Sequence, residues 1–221
     1  LFVLGAFIVK GRLKWWLITC TLLSFALAWG HNMMWLTDIF LDYVPGYNKF
    51  RSVSMILVIA ELTIPLLGFL ALKEVLSEKT GKKELIKSLK FALGITGGLC
   101  VLFAFVGPSL FNFTSNGDAQ LPDFIVSALE SDRASLLRSD ALRSLFFILL
   151  TGLSIYLFHT KKIKMLVFAT VLAVLVLADM LPVNKRYLNA DDFVKARKMD
   201  QPFQKTAVDA QILEDKELNF R

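Results

Sequence analysis

The chain has 221 residues, 55% of them hydrophobic, with a mean hydropathy of +0.56 and a formal net charge of +6. That apolar load excludes an ordinary water-soluble domain, and it makes the basic balance a matter of loop charge in a membrane protein rather than a nucleic-acid footprint. The apolar residues come in blocks near the 20 or so that cross a hydrocarbon layer, without the period of two that a membrane barrel needs. An all-α, polytopic transmembrane bundle is therefore expected.

The chain opens within an apolar run, Leu1-Phe2-Val3-Leu4, and residues 1–9 read as the end of a helix that begins earlier. No basic stretch precedes this run and no small-residue cleavage site follows it, so it does not resemble a secretory signal. The C-terminal residues carry no stop feature either, and the chain reads as an internal segment of a longer protein. Five complete spans follow, at about 15–30, 53–72, 91–107, 141–158 and 165–181. Together with 1–9 they form a transmembrane region over 1–181. Residues 182–221, of mixed charge, then read as the start of an external soluble domain. Cys20 and Cys100 lie inside apolar blocks and are expected as packed helix residues rather than a disulfide.

The connecting loops alternate in charge. Loop 10–14 holds Lys10, Arg12 and Lys14, segment 73–90 holds six lysines, and turn 159–164 holds Lys161, Lys162 and Lys164, whereas 31–52 and 108–140 hold two Lys or Arg each. The basic loops are expected in the cytoplasm and the other two outside. Lys185 and Arg186, just past the last span, run against this pattern but are outnumbered. Trp15 and Trp16 would mark the inner interface, and Trp29 and Trp35 the outer one.

Both outer loops are longer than a connection requires. In 108–140, Leu121, Phe124, Ile125, Ala128 and Leu129 recur at helical spacing, with Pro122 suited to a first turn, and an interfacial helix on the outer leaflet is expected. Loop 31–52 carries Leu36, Ile39, Phe40 and Tyr43 at similar spacing and is expected to lie along the surface as well. It enters its span through Tyr43-Val44-Pro45-Gly46-Tyr47-Asn48-Lys49-Phe50-Arg51-Ser52. This Pro-Gly-aromatic stretch ending in Phe-Arg resembles the YfhO family of bacterial membrane proteins. Asp179-Met180-Leu181-Pro182-Val183-Asn184-Lys185-Arg186-Tyr187-Leu188 is similar to that family's exit into its external domain. With the order of spans and loops, the resemblance covers most of the chain.

The resemblance implies a GT-C-like fold in the cytoplasmic membrane, with a site at the outer face. There a sugar would pass from a polyprenyl-phosphate carrier to an envelope polymer acceptor. The catalytic carboxylate of such enzymes lies in a first external loop, upstream of Leu1. No catalytic residue is therefore carried over, and this segment alone is expected to be inactive. Arg51 and Lys49 are the candidates for the donor phosphate, since a guanidinium binds phosphate with paired hydrogen bonds. The plain alternative is snorkelling to lipid headgroups. Tyr47 and Phe50 are candidates for stacking on a sugar or isoprenoid, or are ordinary interface aromatics.

Glu61 falls inside the apolar run 53–72, where an ionised carboxylate costs about 2.5–3.5 kcal/mol on insertion scales. It is expected to face protein or a wet cavity, or to carry a proton. Pro65 stands four residues on, where its ring meets the carbonyl of residue 61. A functional polar cavity and a structural interhelical hydrogen bond both fit. Asp38 and Asp42, four apart, share a helix face and could hold a divalent cation, the one cofactor the residues suggest; two carboxylates are a weak metal signal, and solvated loop acids are the plainer reading. His31 reads as a helix-end residue, His159 as loop filler, and Asp179 as interfacial. Asn112-Phe113-Thr114 matches a glycosylation sequon, discounted in a bacterial protein. No phosphate-binding glycine loop, Cys/His cluster or serine elbow is present. A transporter or lipid-handling protein, with Glu61 as a coupling group, is the competing class, and an envelope-assembly scaffold a third. The orientation is open to direct test. Asn48→Cys should react with an impermeant maleimide in intact cells; reaction only after permeabilisation would place the loop inside and remove the phosphate reading of Arg51.

Overall fold

A computed structural model describes residues 1–49, 52–77, 80–193 and 206–214, apart from the side chain of Asn116. It is helical, with no strand among the described residues. In chain order the helices are α1 (Phe2–Ile8), α2 (Arg12–Ala28), α3 (Met34–Tyr43), α4 (Val58–Leu76), α5 (Lys82–Phe105), the single turn α6 (Gly107–Leu110), α7 (Asp123–His159), α8 (Met165–Tyr187) and α9 (Ala207–Glu214). Short 3-10 turns at Gly30–Met33, Tyr47–Lys49, Val53–Leu57, Asn116–Gln120 and Ala190–Asp192 join them.

Four described helical segments are long and apolar enough to cross a membrane: Val53–Leu76, Lys82–Phe105, Asp123–His159 and Met165–Asp192. Arg12–Ala28 and Gly30–Tyr43 make a fifth if that pair, bent by 112°, counts as one broken span. The chain is thus built as a multi-pass membrane protein. Its four tryptophans are all 63–68% exposed, as rings at a membrane–water boundary should be, and Trp16 and Trp29 bracket the apolar part of α2. Both cysteines are free thiols, Cys20 on α2 and Cys100 on α5.

Residues Leu1–Leu175 form one compact unit. Here α4 packs against α1 and α2, and α5 packs against α1 and α7. The close approaches run through small residues, since in lipid the gain comes from van der Waals contact rather than from exclusion of water. A Cβ on Gly5 of α1 would stand 2.8 Å from the Leu67 carbonyl oxygen of α4, and one on Gly152 of α7 would stand 2.7 Å from Leu93 Cδ2 of α5. The buried side of α4 is accordingly its small-residue side, with Ala60, Thr63, Gly68 and Ala71 beside Leu67. Thr63 also meets Thr21 of α2 at 2.7 Å between hydroxyl oxygens, and Thr21 donates to the Leu17 carbonyl at 2.7 Å. With the Thr21 proton committed there, Thr63 is the donor across the helix pair.

Two expectations about the helices are revised. The separate interfacial helix over 121–129 is instead the first turns of α7. Pro122 precedes that helix as its cap, accepting from Ile125 and Val126, and neither Gly nor Pro occurs again before Gly152. With no breaker, the backbone ladder continues through a charged stretch into the apolar one. The 37 residues of α7 make a rod of about 55 Å, against about 30 Å of hydrocarbon. Likewise α8 runs through Pro182 to Tyr187, six residues past the expected end of the span at 181.

The second unit, Val176–Arg221, begins within α8. Its described part holds the Ala190–Asp192 turn, capped by the Asn189 side chain accepting from the Asp191 amide at 2.7 Å, and α9. The rest of the segment read as an external domain, 194–205 and 215–221, lies outside the described residues.

The two glycine contacts differ in what must yield, and this gives a test. Gly5→Ala drives a methyl against backbone, whereas Gly152→Ala presses on the movable end of a leucine. Both gain the same helix propensity, so Gly5→Ala should lower thermal stability in detergent by about 1–3 kcal/mol relative to Gly152→Ala.

Candidate functional site

The residues singled out in the sequence sit on the excursion between α2 and α4. Gly30, at φ +49°, turns the chain out of α2. A Cβ there would stand 3.0 Å from the Val53 side chain, so the excursion starts and ends at one place. Inside it α3 is held by Thr37, buried, whose hydroxyl lies 3.3 Å from the Gly30 carbonyl oxygen. α3 ends at Tyr43, and Gly46 (φ +84°) provides the left-handed residue that lets the chain reverse after Pro45. Amide bonds from Tyr47 to the Val44 carbonyl (3.2 Å) and from Lys49 to the Gly46 carbonyl (3.1 Å) close the 3-10 turn.

This turn brings Tyr47 back onto α3, where its ring meets Phe40 edge-on with centroids 5.5 Å apart. The Tyr47 hydroxyl is buried and has no hydrogen-bond partner among the described residues. A phenol normally finds a partner when buried, so this is a polar group held ready for one. Lys49, two residues on, is exposed. Phe50 and Arg51 lie outside the described residues. Asp38 and Asp42 are both exposed on α3, and no third ligand joins them. Among the described residues no group of three or more His, Cys, Asp or Glu is placed to hold a metal ion.

Glu61 does not face the described bundle: it is exposed on α4, as is Pro65. The reason lies in the helix pairing above, which takes the small-residue side of α4 and leaves the acidic side out. Glu61 is therefore not gathered with Tyr47 and Lys49 by any described contact.

Two polar arrangements went unnoticed in the sequence. Arg133 of α7 forms a two-pronged ion pair with Asp118: Nη1 donates to Oδ2 at 2.6 Å and Nη2 to Oδ1 at 3.0 Å. Nη1 also donates to the Phe113 carbonyl at 2.6 Å, and the Ser115 amide donates to Asp118 Oδ2 at 2.6 Å. The loop after α6 is thus fastened to α7 through one buried carboxylate. Ser115-x-x-Asp118 is a readable turn signature, but nothing local announces Arg133 as the partner.

The second arrangement is a cavity of about 340 Å³ where two lysine-rich turns meet, lined by Thr80, Gly81, Lys82, His159, Thr160 and Lys161. His159 Nε2 is buried without a partner among the described residues. Turns 73–90 and 159–164, which the charge pattern assigns to one side, do share one end of the bundle. His159, read in the sequence as loop filler, lines this cavity.

Comparison with family models, characterised proteins and solved structures finds no match for this chain. Its own geometry carries the functional argument.

The Arg133 and Ser115 hydrogen bonds hold the Asp118 carboxyl below the usual carboxylate range, against a smaller opposing effect of burial. A lowered folded value means the clamp stabilises fully above the ordinary Asp pKa of about 3.9 and is lost as pH falls through the folded value. An environment-sensitive dye on Gly117→Cys should therefore report a native loop down to about pH 4 and a release only below it. In Arg133→Met the release should already be present at neutral pH.

Proposed function

We propose that this chain is part of a membrane glycosyltransferase-like protein, similar to the YfhO family and to GT-C enzymes. It would move a sugar from a polyprenyl-phosphate carrier to an envelope polymer at the outer face of the bacterial cytoplasmic membrane. The observation that carries the reading is the Pro45-Gly46-Tyr47 turn. It sets a buried, unpartnered phenol beside an exposed lysine at the mouth of an apolar helix. Those are the groups a lipid-linked sugar phosphate would use: a hydrogen-bonding hydroxyl, a cation and an apolar wall.

In the reaction an acceptor hydroxyl attacks the anomeric carbon, the bond from that carbon to the phosphate oxygen breaks, and the polyprenyl phosphate departs with the electron pair. The hydroxyl proton passes to a carboxylate expected upstream of Leu1. Lys49 and Arg51 would stabilise charge building on the departing phosphate, the step at which a preorganised cation contributes most. Tyr47 and Phe50 would shape the groove for sugar or isoprenoid. Should a divalent cation take part, Asp38 and Asp42 are its nearest acidic ligands in sequence and would need further ligands.

A second reading, a transporter or lipid-handling protein without transfer chemistry, draws on a different observation. Glu61 is a carboxyl exposed within an apolar span, with a proline on the same side. The two readings part on one experiment. In the full-length protein, Arg51→Ala and Lys49→Ala should each reduce sugar on the envelope polymer, the arginine change by roughly 10²-fold, at unaltered protein abundance. Unchanged modification in Arg51→Ala would defeat the phosphate role.

A further inference from the structure

The cavity between the turn before α5 and the turn after α7 has no part in the sugar-transfer reading, which uses the excursion before α4. Its volume of about 340 Å³ is room for about ten waters, and so for a phosphate group. The lining divides by exposure. Gly81, Lys82 and Lys161 are exposed, whereas Thr80 is only 8% exposed and His159 Nε2 is buried.

Both inner groups are polar and unpaired. Neither the Thr80 hydroxyl nor His159 Nε2 has a hydrogen-bond partner among the described residues. The backbone adds further open donors. Gly81 stands at the N-cap of α5 with no side chain to cap it, and the first helical bond runs from the Leu85 amide to the Gly81 carbonyl at 3.0 Å. The amides of Lys82, Lys83 and Glu84 are thus left without an acceptor in the helix, at the positive end of a 24-residue dipole.

The helix end across the cavity is closed by contrast. The amides of Thr160, Lys161 and Lys162 donate to the carbonyls of Tyr156, Phe158 and Leu157 at 2.9, 2.9 and 3.0 Å. Three of the last four carbonyls of α7 are thereby taken. No described carboxylate lines the cavity, and segment 159–164 carries three lysines and no acid. Lys161 is already engaged by another group, but Lys82 meets no described partner. Water would satisfy the donors one by one and leave the converging positive charge uncompensated.

We propose that this cavity binds a phosphate group, either inorganic phosphate or the monoester headgroup of an anionic lipid. Its terminal oxygens accept from the α5 amides, Thr80 and His159 Nε2, with Lys82 supplying charge at the mouth. A carboxylate has only two oxygens and would leave donors unmet.

The test follows acetylation of Lys82 by mass spectrometry in the full-length protein, held in phosphatidylcholine nanodiscs in a phosphate-free buffer. Lys90, exposed on the same helix and outside the cavity, is the internal reference. One arm adds inorganic phosphate, against chloride at equal ionic strength. The other replaces some of the lipid with phosphatidic acid, against phosphatidylglycerol, an anionic diester. In at least one arm phosphate should slow Lys82 acetylation about fivefold or more relative to Lys90, and that arm names the source. Thr80→Val and His159→Phe should each raise the amount needed for half protection about tenfold, and Thr80→Ser should leave it unchanged. No protection in either arm would overturn the proposal. So would equal protection by phosphatidylglycerol, or protection undiminished in Thr80→Val and His159→Phe. Should one of these two variants fail to fold, the other still decides. Since the readout is acetylation and not sugar transfer, failure here is distinct from failure of the transferase reading.

Discussion

Hydrocarbon offers a peptide group no partner, and most of this molecule follows from that. Each apolar run must close its own backbone ladder, so the chain is helix after helix, and irregular backbone is confined to the ends. The same rule gives weight to the places where a bond is missing. Pro65 withholds an amide from the Glu61 carbonyl, and Tyr47 holds a buried phenol with no partner among the described residues. In water either would be unremarkable. In a membrane protein each carries a larger cost, because hydrocarbon offers no replacement partner.

The second constraint is the choice of packing side. Leucine gains little by leaving lipid for protein, so helices meet where their backbones can come close. α4 turns Ala60, Thr63, Gly68 and Ala71 inward and adds a hydroxyl pair between Thr21 and Thr63. Its larger side chains, Leu62 and Phe69 among them, are left outward. The acidic residue is carried outward with them as a result of this allocation, since Glu61 lies about 100° around the helix from Ala60 and 200° from Thr63.

Much of this was legible in the residues. Apolar runs near 20 long announced the crossing helices, and the lysines of 73–90 and 159–164 announced that those turns share an end. Pro45-Gly46 announced the reversal that seats Tyr47. What could not be read was the side each helix presents. A helix apolar all round has no periodic signal to orient it, and the small residues that decide the pairing of α4 are spread among equally apolar neighbours. Nor could the length of α7 be read from hydropathy, because the charged residues from Glu130 to Arg143 look like a loop unless one notices that no breaker interrupts them. Asp118 and Arg133 are far enough apart that only the folded chain introduces them.

That uninterrupted helix has a mechanical consequence. A rod of 37 residues does not flex at the bilayer boundary as a hinged loop would. It acts as a lever, its fulcrum among the helices packed around Gly152. The helix tip at Asp123 stands about 44 Å from that fulcrum, so a tilt of about 10° sweeps it through about 8 Å. Because Arg133 grips Asp118 with both nitrogens, the strand of chain from Phe113 to Leu121 must travel with it. Any tilt of the helix is thereby passed on to that surface loop.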